Sequence, residues 1–382
     1  MTATIVLAGL ILIAVVLHDV FEVILLPRRV SRNFRLARQF YIWAWRLWRA
    51  PTRLIGSARR REVLLSWFGP CSILLLFALW AGCLIAGFAA IHRALGTPMS
   101  QAAGRATTTF EYVYFSGVTF FTLGYGDLAP IGPTGRALAV AEAGLGFAFL
   151  AVVIGYLPVF YQAFSAREIA ISLLDARAGS PPTAAALLLR LAPSRNFEAL
   201  DRFLQEWERW AALVLESHLS FPLLSYYRSQ HDNQSWLAAM TAVLDASALV
   251  IAGVKGVDPY QAELTFAMAR HAAVDLAQVF KAPPEEPPVD RLPSGRLAGL
   301  LEGLQLAGLD VREGPAVEAK LAALRRLYEP FVHALSAYFL LPLPPFQADG
   351  PAVDNWQTSA WMKRARGIGD LARADPGDDH DD

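Results

Sequence analysis

The 382-residue chain has two cysteines, Cys71 and Cys83, and both lie in one apolar run. Twelve positions apart, about three helical turns, they read as buried thiols rather than a disulfide or a metal pair. The formal net charge is +0, so no bulk field draws the chain to nucleic acid. No G-x-G-x-x-G opens a helix, which argues against a Rossmann-type nucleotide domain. No G-x-S-x-G is present, so the Ser, His and Asp residues of SHLSFPLLSYYRSQHDNQSW (217–236) lack a nucleophile motif; they read as a capped helix junction, with a ligand pocket as the minor alternative. No catalytic residues are expected, and the chain reads as a non-enzyme. No apolar run carries arginine at every third position, so no voltage sensor is expected. Finally, residues 28–61 hold eleven arginines and no acid, whereas the chain ends on the acidic DPGDDHDD.

What is abundant is apolar sequence. Hydrophobic residues make up 54% of the chain, the mean hydropathy is +0.34, and the excess sits in the first 165 residues. Residues 63–91 carry no charge over 29 positions, more than the roughly 20 needed to cross a hydrocarbon core. Residues 137–165 form a second run, interrupted by Glu142, and residues 5–26 a third, with His18, Asp19 and Glu22 near its end. The N-terminal run begins uncharged and ends at Pro27-Arg28-Arg29, opposite to the polarity of a signal peptide, and so reads as an uncleaved span.

The expected organisation is a first span over 1–27, an arginine-rich segment over 28–62, a pore region over 63–165, a helical block over 166–280, a proline-rich linker over 281–295, a second helical block over 296–345 and a tail over 346–382. Because cytoplasmic loops carry the positive excess, residues 28–62 are placed inside, the N-terminus outside and the C-terminus in the cytoplasm. Trp43, Trp45 and Trp48 among the arginines suggest a helix lying at the headgroup level. The fold class expected is an all-α membrane protein with three transmembrane helices, a re-entrant helix with its return loop, and a helical cytoplasmic domain.

The return loop is the informative part. Residues 110–123 are largely apolar or aromatic but too short to span, and Thr108 and Glu111 have capping-box spacing, which predicts a short helix to about Phe121. The chain then leaves through TLGYGD, 122–127. Non-helical backbone at membrane depth is tolerated only where protein buries it or water lines it. Gly124 and Gly126 permit positive φ, so successive carbonyls can turn to one side. A row of carbonyls from Thr122, Leu123, Gly124 and Tyr125, with the Thr122 hydroxyl, can replace the water around a cation, and four such rows can surround it.

TFFTLGYGD (119–127) resembles the selectivity-filter signature of potassium channels, and GDLAPIGPTGR (126–136) resembles the segment just after the filter in simple bacterial members of that family. The specific likeness covers about residues 63–165. It implies a homotetramer in a bacterial inner membrane that conducts K+ with no organic cofactor, with the filter running from Thr122 to Asp127. Leu123 stands where valine is commoner, as it also does in two-pore-domain channels. Thr119 matches a pore-helix threonine, and Tyr114 and Phe115 its aromatic pair. Val118 stands where some members carry a glutamate that pairs with the filter aspartate, so Asp127 needs another partner, with the Tyr114 hydroxyl a candidate. Phe115 cannot donate to Tyr125 as a tryptophan would.

By the same likeness residues 135–165 line the inner cavity, Gly146 aligns with a hinge, and Gly155-Tyr156-Leu157-Pro158 is a candidate kink near the mouth. Gly144 and Gly146 serve equally well as small packing residues. Glu142 is costly at that depth and should face protein or water. It is either an acceptor behind the pore helix or a proton-sensitive brace. The helical region after Arg167 is expected to tune gating, with its ligand or partner unspecified. Two rival readings are a membrane-anchored signalling protein whose helical region does the work and a weakly selective cation channel.

Overall fold

A computed structural model of the chain describes residues 1–25, 35–100, 107–192, 197–230 and 233–348. Pro27, the arginines at 28, 29 and 32, His231, Asp232 and the acidic tail lie outside the described residues. Among the described residues the chain is helical, with isolated bridges in place of sheets. It divides into two compact units, Met1–Gln162 and Ala163 onward.

In the first unit α1 (Thr2–Val20) continues as a π turn over Phe21–Leu25, followed by α2 (Leu36–Arg49), α3 (Ala58–Ala94), the short α4 (Thr109–Phe120) and the start of α5 (Pro133–Ala178). At 1.5 Å per residue α3 is about 55 Å long, more than the roughly 30 Å of a bilayer core. The protein is a membrane protein: α1 with its extension, α3 and α5 are each long and apolar enough to cross. α1 and α3 cross at two glycines. A Cβ on Gly9 would stand 2.9 Å from the Gly87 carbonyl oxygen, and one on Gly87 3.3 Å from that of Gly9. Small residues allow this approach where lipid supplies no hydrophobic drive.

The acids at the end of α1 hold α2 in place. Asp19, 3% exposed, accepts from the Ala37 amide in the first turn of α2 and from Trp80 Nε1 of α3, both at 2.9 Å. Its carboxylate therefore satisfies an otherwise orphaned amide at the positive end of a helix. Glu22 is 3.4 Å from Arg35 Nε. The three tryptophans of α2 do not share one environment. Trp43 is 59% exposed, but Trp45 packs edge-on against Phe68 at 4.9 Å and Trp48 Nε1 donates to the Leu64 carbonyl at 2.9 Å. Two of the three rings fix α2 to α3.

The second unit contains the end of α5, then α6 (Ala184–Leu191), α7 (Phe197–Ser220), α8 (Trp236–Gly253), α9 (Tyr260–Val279), α10 (Ser294–Leu306), α11 (Pro315–Arg326) and α12 (Glu329–Phe339). α8 is a fourth helix long and apolar enough to span, which the sequence reading did not single out. All 18 of its residues are buried, with α6, α7, α9, α11 and α12 packed around it. It is uniformly apolar because it is surrounded. Asp245, in its middle, accepts from the Arg291 guanidinium and the Tyr328 hydroxyl. Arg291 also donates to the Pro344 carbonyl at 2.8 Å and meets Glu329 at 3.3 Å, and Glu329 meets Arg325 at 3.0 Å. Burial, with the Asp245 charge beside it, holds the Tyr328 hydroxyl well above its ordinary range, so it remains a donor. The proline-rich stretch 281–295 lies between α9 and α10 and delivers an arginine into the core.

Candidate functional site

Helix α4 starts on the predicted capping box: the Thr108 amide donates to Glu111 Oε2 at 2.7 Å and the Glu111 amide to Thr108 Oγ1 at 3.3 Å. Its other end leads into the TLGYGD loop, the candidate filter. The Thr122 amide donates to the Thr119 carbonyl at 3.0 Å and the Leu123 amide to the Val118 carbonyl at 2.9 Å. These two bonds form the Schellman pattern that closes a helix, with Thr122 at the left-handed position. Thr122 has φ 55°. Glycine is the usual residue there, and a β-branched side chain at positive φ is strained. Gly124 (φ 61°) and Gly126 (φ 78°) come next, so the left-handed positions recur at every second residue.

This alternation is what a row of same-side carbonyls requires. Residues Phe121 to Asp127 are all exposed, with Leu123 at 55% and Tyr125 at 68%. A Cβ built on Gly124 or Gly126 meets nothing within 4 Å, so their need for glycine is conformational rather than steric.

The candidate filter is suspended between two supports. On one side the Tyr114 hydroxyl donates to Asp127 Oδ2 at 2.9 Å. On the other, the chain after the filter pairs with the loop after α3: the Ser100 amide donates to the Ala129 carbonyl at 2.8 Å and the Ile131 amide to the Pro98 carbonyl at 3.0 Å. Thr97 in that loop accepts from the Tyr112 hydroxyl at 3.0 Å and stands 3.1 Å from His92 Nδ1 through its own hydroxyl. Phe115, 5% exposed, sets its ring edge-on to His92 at 5.2 Å, in a cluster with Ala89, Met99 and Tyr112. Phe115 is thus a packing residue turned to α3.

Behind α4, three helices meet at buried polar groups. The Ser116 hydroxyl of α4 donates to Glu142 Oε1 of α5, and Glu142 Oε2 faces His92 Nε2 of α3 at 3.9 Å. All three side chains are fully buried, and those two facing atoms have no hydrogen-bond partner. Glu142 stands out in the sequence; His92 and Ser116 do not, because nothing local marks them.

Gly146 lies where α5 passes the end of α4. A Cβ there would stand 1.9 Å from the Phe120 carbonyl oxygen, whereas Gly144 has nothing within 4 Å. The helix runs through Gly146 and Pro158 without a break. Of the two uses open to Gly146, close packing is what this conformation displays.

Within the second unit, the α5 residue Arg167 is fully buried. It donates to the carbonyls of Leu224 at 2.8 Å and Tyr227 at 3.0 Å, pairs with Glu168 at 2.8 Å and approaches His218 Nε2 at 3.4 Å. Burial and then the Arg167 charge push His218 well below its ordinary value. Ser235 caps α8 by accepting from the Ala238 amide at 3.0 Å. The Ser/His stretch of the sequence is here a helix junction.

Comparison with known proteins agrees with this geometry. Residues 74–163 match a family described as an ion channel. This segment is similar to an ion-channel domain. It contains α4, the TLGYGD loop and most of α3 and α5. The chain is also similar to the uncharacterized membrane protein YdjJ of Bacillus subtilis (strain 168), 26% identical over 204 residues, which is 53% of this chain and 57% of that protein. Protein LctB of Geobacillus stearothermophilus is 37% identical over 84 residues, 20% of this chain and 62% of LctB. LctB of Bacillus caldotenax is 34% identical over the same length. The chain thus spans less than two thirds of the curated relatives it matches. No solved structure matches it.

Proposed function

We propose that the chain is one subunit of a homotetrameric potassium channel of a bacterial inner membrane, with Thr122, Leu123, Gly124 and Tyr125 coordinating dehydrated K+. The observation that carries this is Thr122 held at φ 55° in a position that favours glycine. A strained non-glycine residue persists where its side chain is needed, and a hydroxyl at the inner end of a carbonyl row is one more oxygen ligand for a cation. The exposure of Leu123 and Tyr125 in a single chain fits surfaces covered by other subunits. Tyr125 and Gly126 belong to the GYG pattern that favours K+ over Na+.

Orientation comes from the arginines: N-terminus outside, α2 and the second unit on the cytoplasmic side. The second unit tunes gating, since the filter, α4 and the lining part of α5 all precede Arg167. Recording purified protein in a planar bilayer under opposed K+ and Na+ gradients tests the proposal. A reversal potential near the K+ equilibrium value is expected. A value near zero would replace it with a weakly selective cation channel, and absence of any conductance from verified tetramers would shift the activity to the second unit.

A further inference from the structure

Where α1, α2 and α3 meet, one buried carboxylate oxygen is left bare. Asp19 Oδ2 takes both donors, the Ala37 amide of α2 and Trp80 Nε1 of α3, while Oδ1, also buried, has no hydrogen-bond partner. Asp19 stands in for a cap that α2 lacks. The N-cap residue of α2 is Arg35, whose side chain caps nothing, and the first turn adds Arg38 and no acid. Positive charge at the positive end of a helix is unfavourable. An N-cap oxygen ordinarily accepts from the second or third amide of its helix, and here Asp19 takes the second, that of Ala37. The charges around Asp19 are few. α1 and its π turn bring His18 and Glu22, which stand 3.6 Å apart, and α2 brings Arg35. α3 is free of charge from residue 63 to 91 and brings the Trp80 indole. Arg35 is loosely committed: Nη2 reaches the Glu22 carbonyl at 3.4 Å, and the buried Nε has no hydrogen-bond partner although Glu22 Oε2 is 3.4 Å away.

We propose that Asp19 is a proton-binding site that latches α2 to α1 and α3. Ionised, it supplies the negative charge that Arg35 and the start of α2 face. A proton from water enters at Oδ1, because Oδ2 already faces two N–H donors; one O–H bond forms and no other covalent bond changes. Loss of the charge turns two charge-assisted hydrogen bonds into neutral ones of about half the strength. The new hydroxyl is a buried donor with no acceptor in place, which costs free energy until the side chain turns or water enters. Both effects favour release of α2. The latch reaches the channel-like segment directly: the family match begins at residue 74, so α1 and α2 lie outside it and Trp80 within it. α2 also braces the start of α3 through Trp45 and Trp48, so its release frees that end of the helix. The latch depends on neither the filter nor the tetramer.

Hydrogen exchange of the α2 amides tests the site, followed by mass spectrometry on the full-length protein in liposomes near pH 8 and near pH 5, with exchange times scaled to the intrinsic rate at each pH. Protection of α2 in the wild type is expected to fall about fivefold at the lower pH, the worth of one charge at a helix terminus. Asp19→Asn keeps an acceptor for Ala37 and Trp80 but cannot ionise, and is expected to show the lower protection at both values. His18→Gln, Glu22→Gln and Glu142→Gln are each expected to keep a pH response. If Asp19→Asn fails to insert, Trp80→Phe decides. It removes one donor from the ionised form, so the midpoint of the change should move up by about one pH unit. Four results would each overturn the site: protection of wild-type α2 that does not vary with pH, a wild-type response in Asp19→Asn, loss of the response in one of the other three carboxyl or imidazole variants, or an unmoved midpoint in Trp80→Phe.

Discussion

Polar groups at the filter and at the centre of the second unit are disposed in opposite ways. Asp245, Arg291, Tyr328 and Glu329 are buried and answer one another, so each charge has its counter-charge and each donor its acceptor. The candidate filter from Thr122 to Asp127 is exposed, places three residues at positive φ, and is held at its ends, through the Schellman closure of α4 and the Tyr114–Asp127 bond. A closed network is what a core needs, since a half-satisfied one costs more than an apolar core. An open row of carbonyls on strained backbone has no value to a single folded chain; its use lies in what it later binds. The contrast separates residues that keep the fold from residues that, on the proposed reading, serve a permeating ion.

The contrast breaks most sharply at the filter glycines. Replacing Gly124 or Gly126 by alanine meets no steric wall, yet left-handed backbone costs a side chain about 1–2 kcal/mol per residue, and a tetramer carries the penalty in every subunit. Loss of K+ flux is expected, with the protein still in the membrane fraction. Wild-type flux in either variant would mean that those φ values do not serve conduction.

Gly146 gives the next largest effect, of the opposite kind. A methyl group 1.9 Å from the Phe120 carbonyl oxygen must push α5 away from the end of α4. Gly146→Ala should therefore reduce folded tetramer, read by size-exclusion chromatography in detergent. Gly144→Ala, with open space around it, should leave tetramer yield unchanged. Equal behaviour of the two would refute the close approach.

Legibility in the sequence divides along the same line. The capping box at Thr108 and Glu111 and the long apolar spans are local patterns legible from spacing alone, and TLGYGD is a local pattern that stands out by its resemblance to potassium-channel filters. Trp45 and Trp48 are not, because their partners Phe68 and Leu64 lie about twenty residues away on another helix. Arg291 sits in a proline-rich stretch that looks like solvent-exposed linker, and only its pairing with Asp245, 46 residues earlier, reveals it as core. α8 resembles a span because burial in protein and burial in lipid select the same composition. Gly146 announces itself as a small residue, but the carbonyl it makes room for is found only in three dimensions.

The core network of the second unit supplies the third test. Arg291→Met leaves Asp245 buried without its main counter-charge, and breaking a buried pair in this way costs about 3–5 kcal/mol. Thermal unfolding of the second unit, followed by circular dichroism on the full chain, should shift to lower temperature, while the K+ over Na+ preference stays at the wild-type value. A change in selectivity without a change in unfolding would mean that the second unit acts on the filter directly and would undo the division between core and filter.

The smallest effect expected is at Glu142, where the two kinds of site meet. Its carboxylate is partly answered, by the Ser116 hydroxyl of α4, and partly open, with Oε2 facing His92 Nε2 of α3 across 3.9 Å. A glutamine keeps an acceptor for Ser116 and so should change stability by no more than about 1 kcal/mol, the net worth of one hydrogen bond. It removes the carboxylate's own proton, however. If that proton passes between Glu142 and His92, the three helices behind the filter are braced differently in each state, and current through the wild-type protein varies with pH. Glu142→Gln should then flatten or displace that variation while leaving the K+ over Na+ ratio intact, and His92→Gln, which keeps the volume but cannot be protonated, should displace it too. A pH profile identical in wild type and both variants would reduce Glu142 to an acceptor for Ser116, and the site behind the filter would belong with the closed network of the second unit.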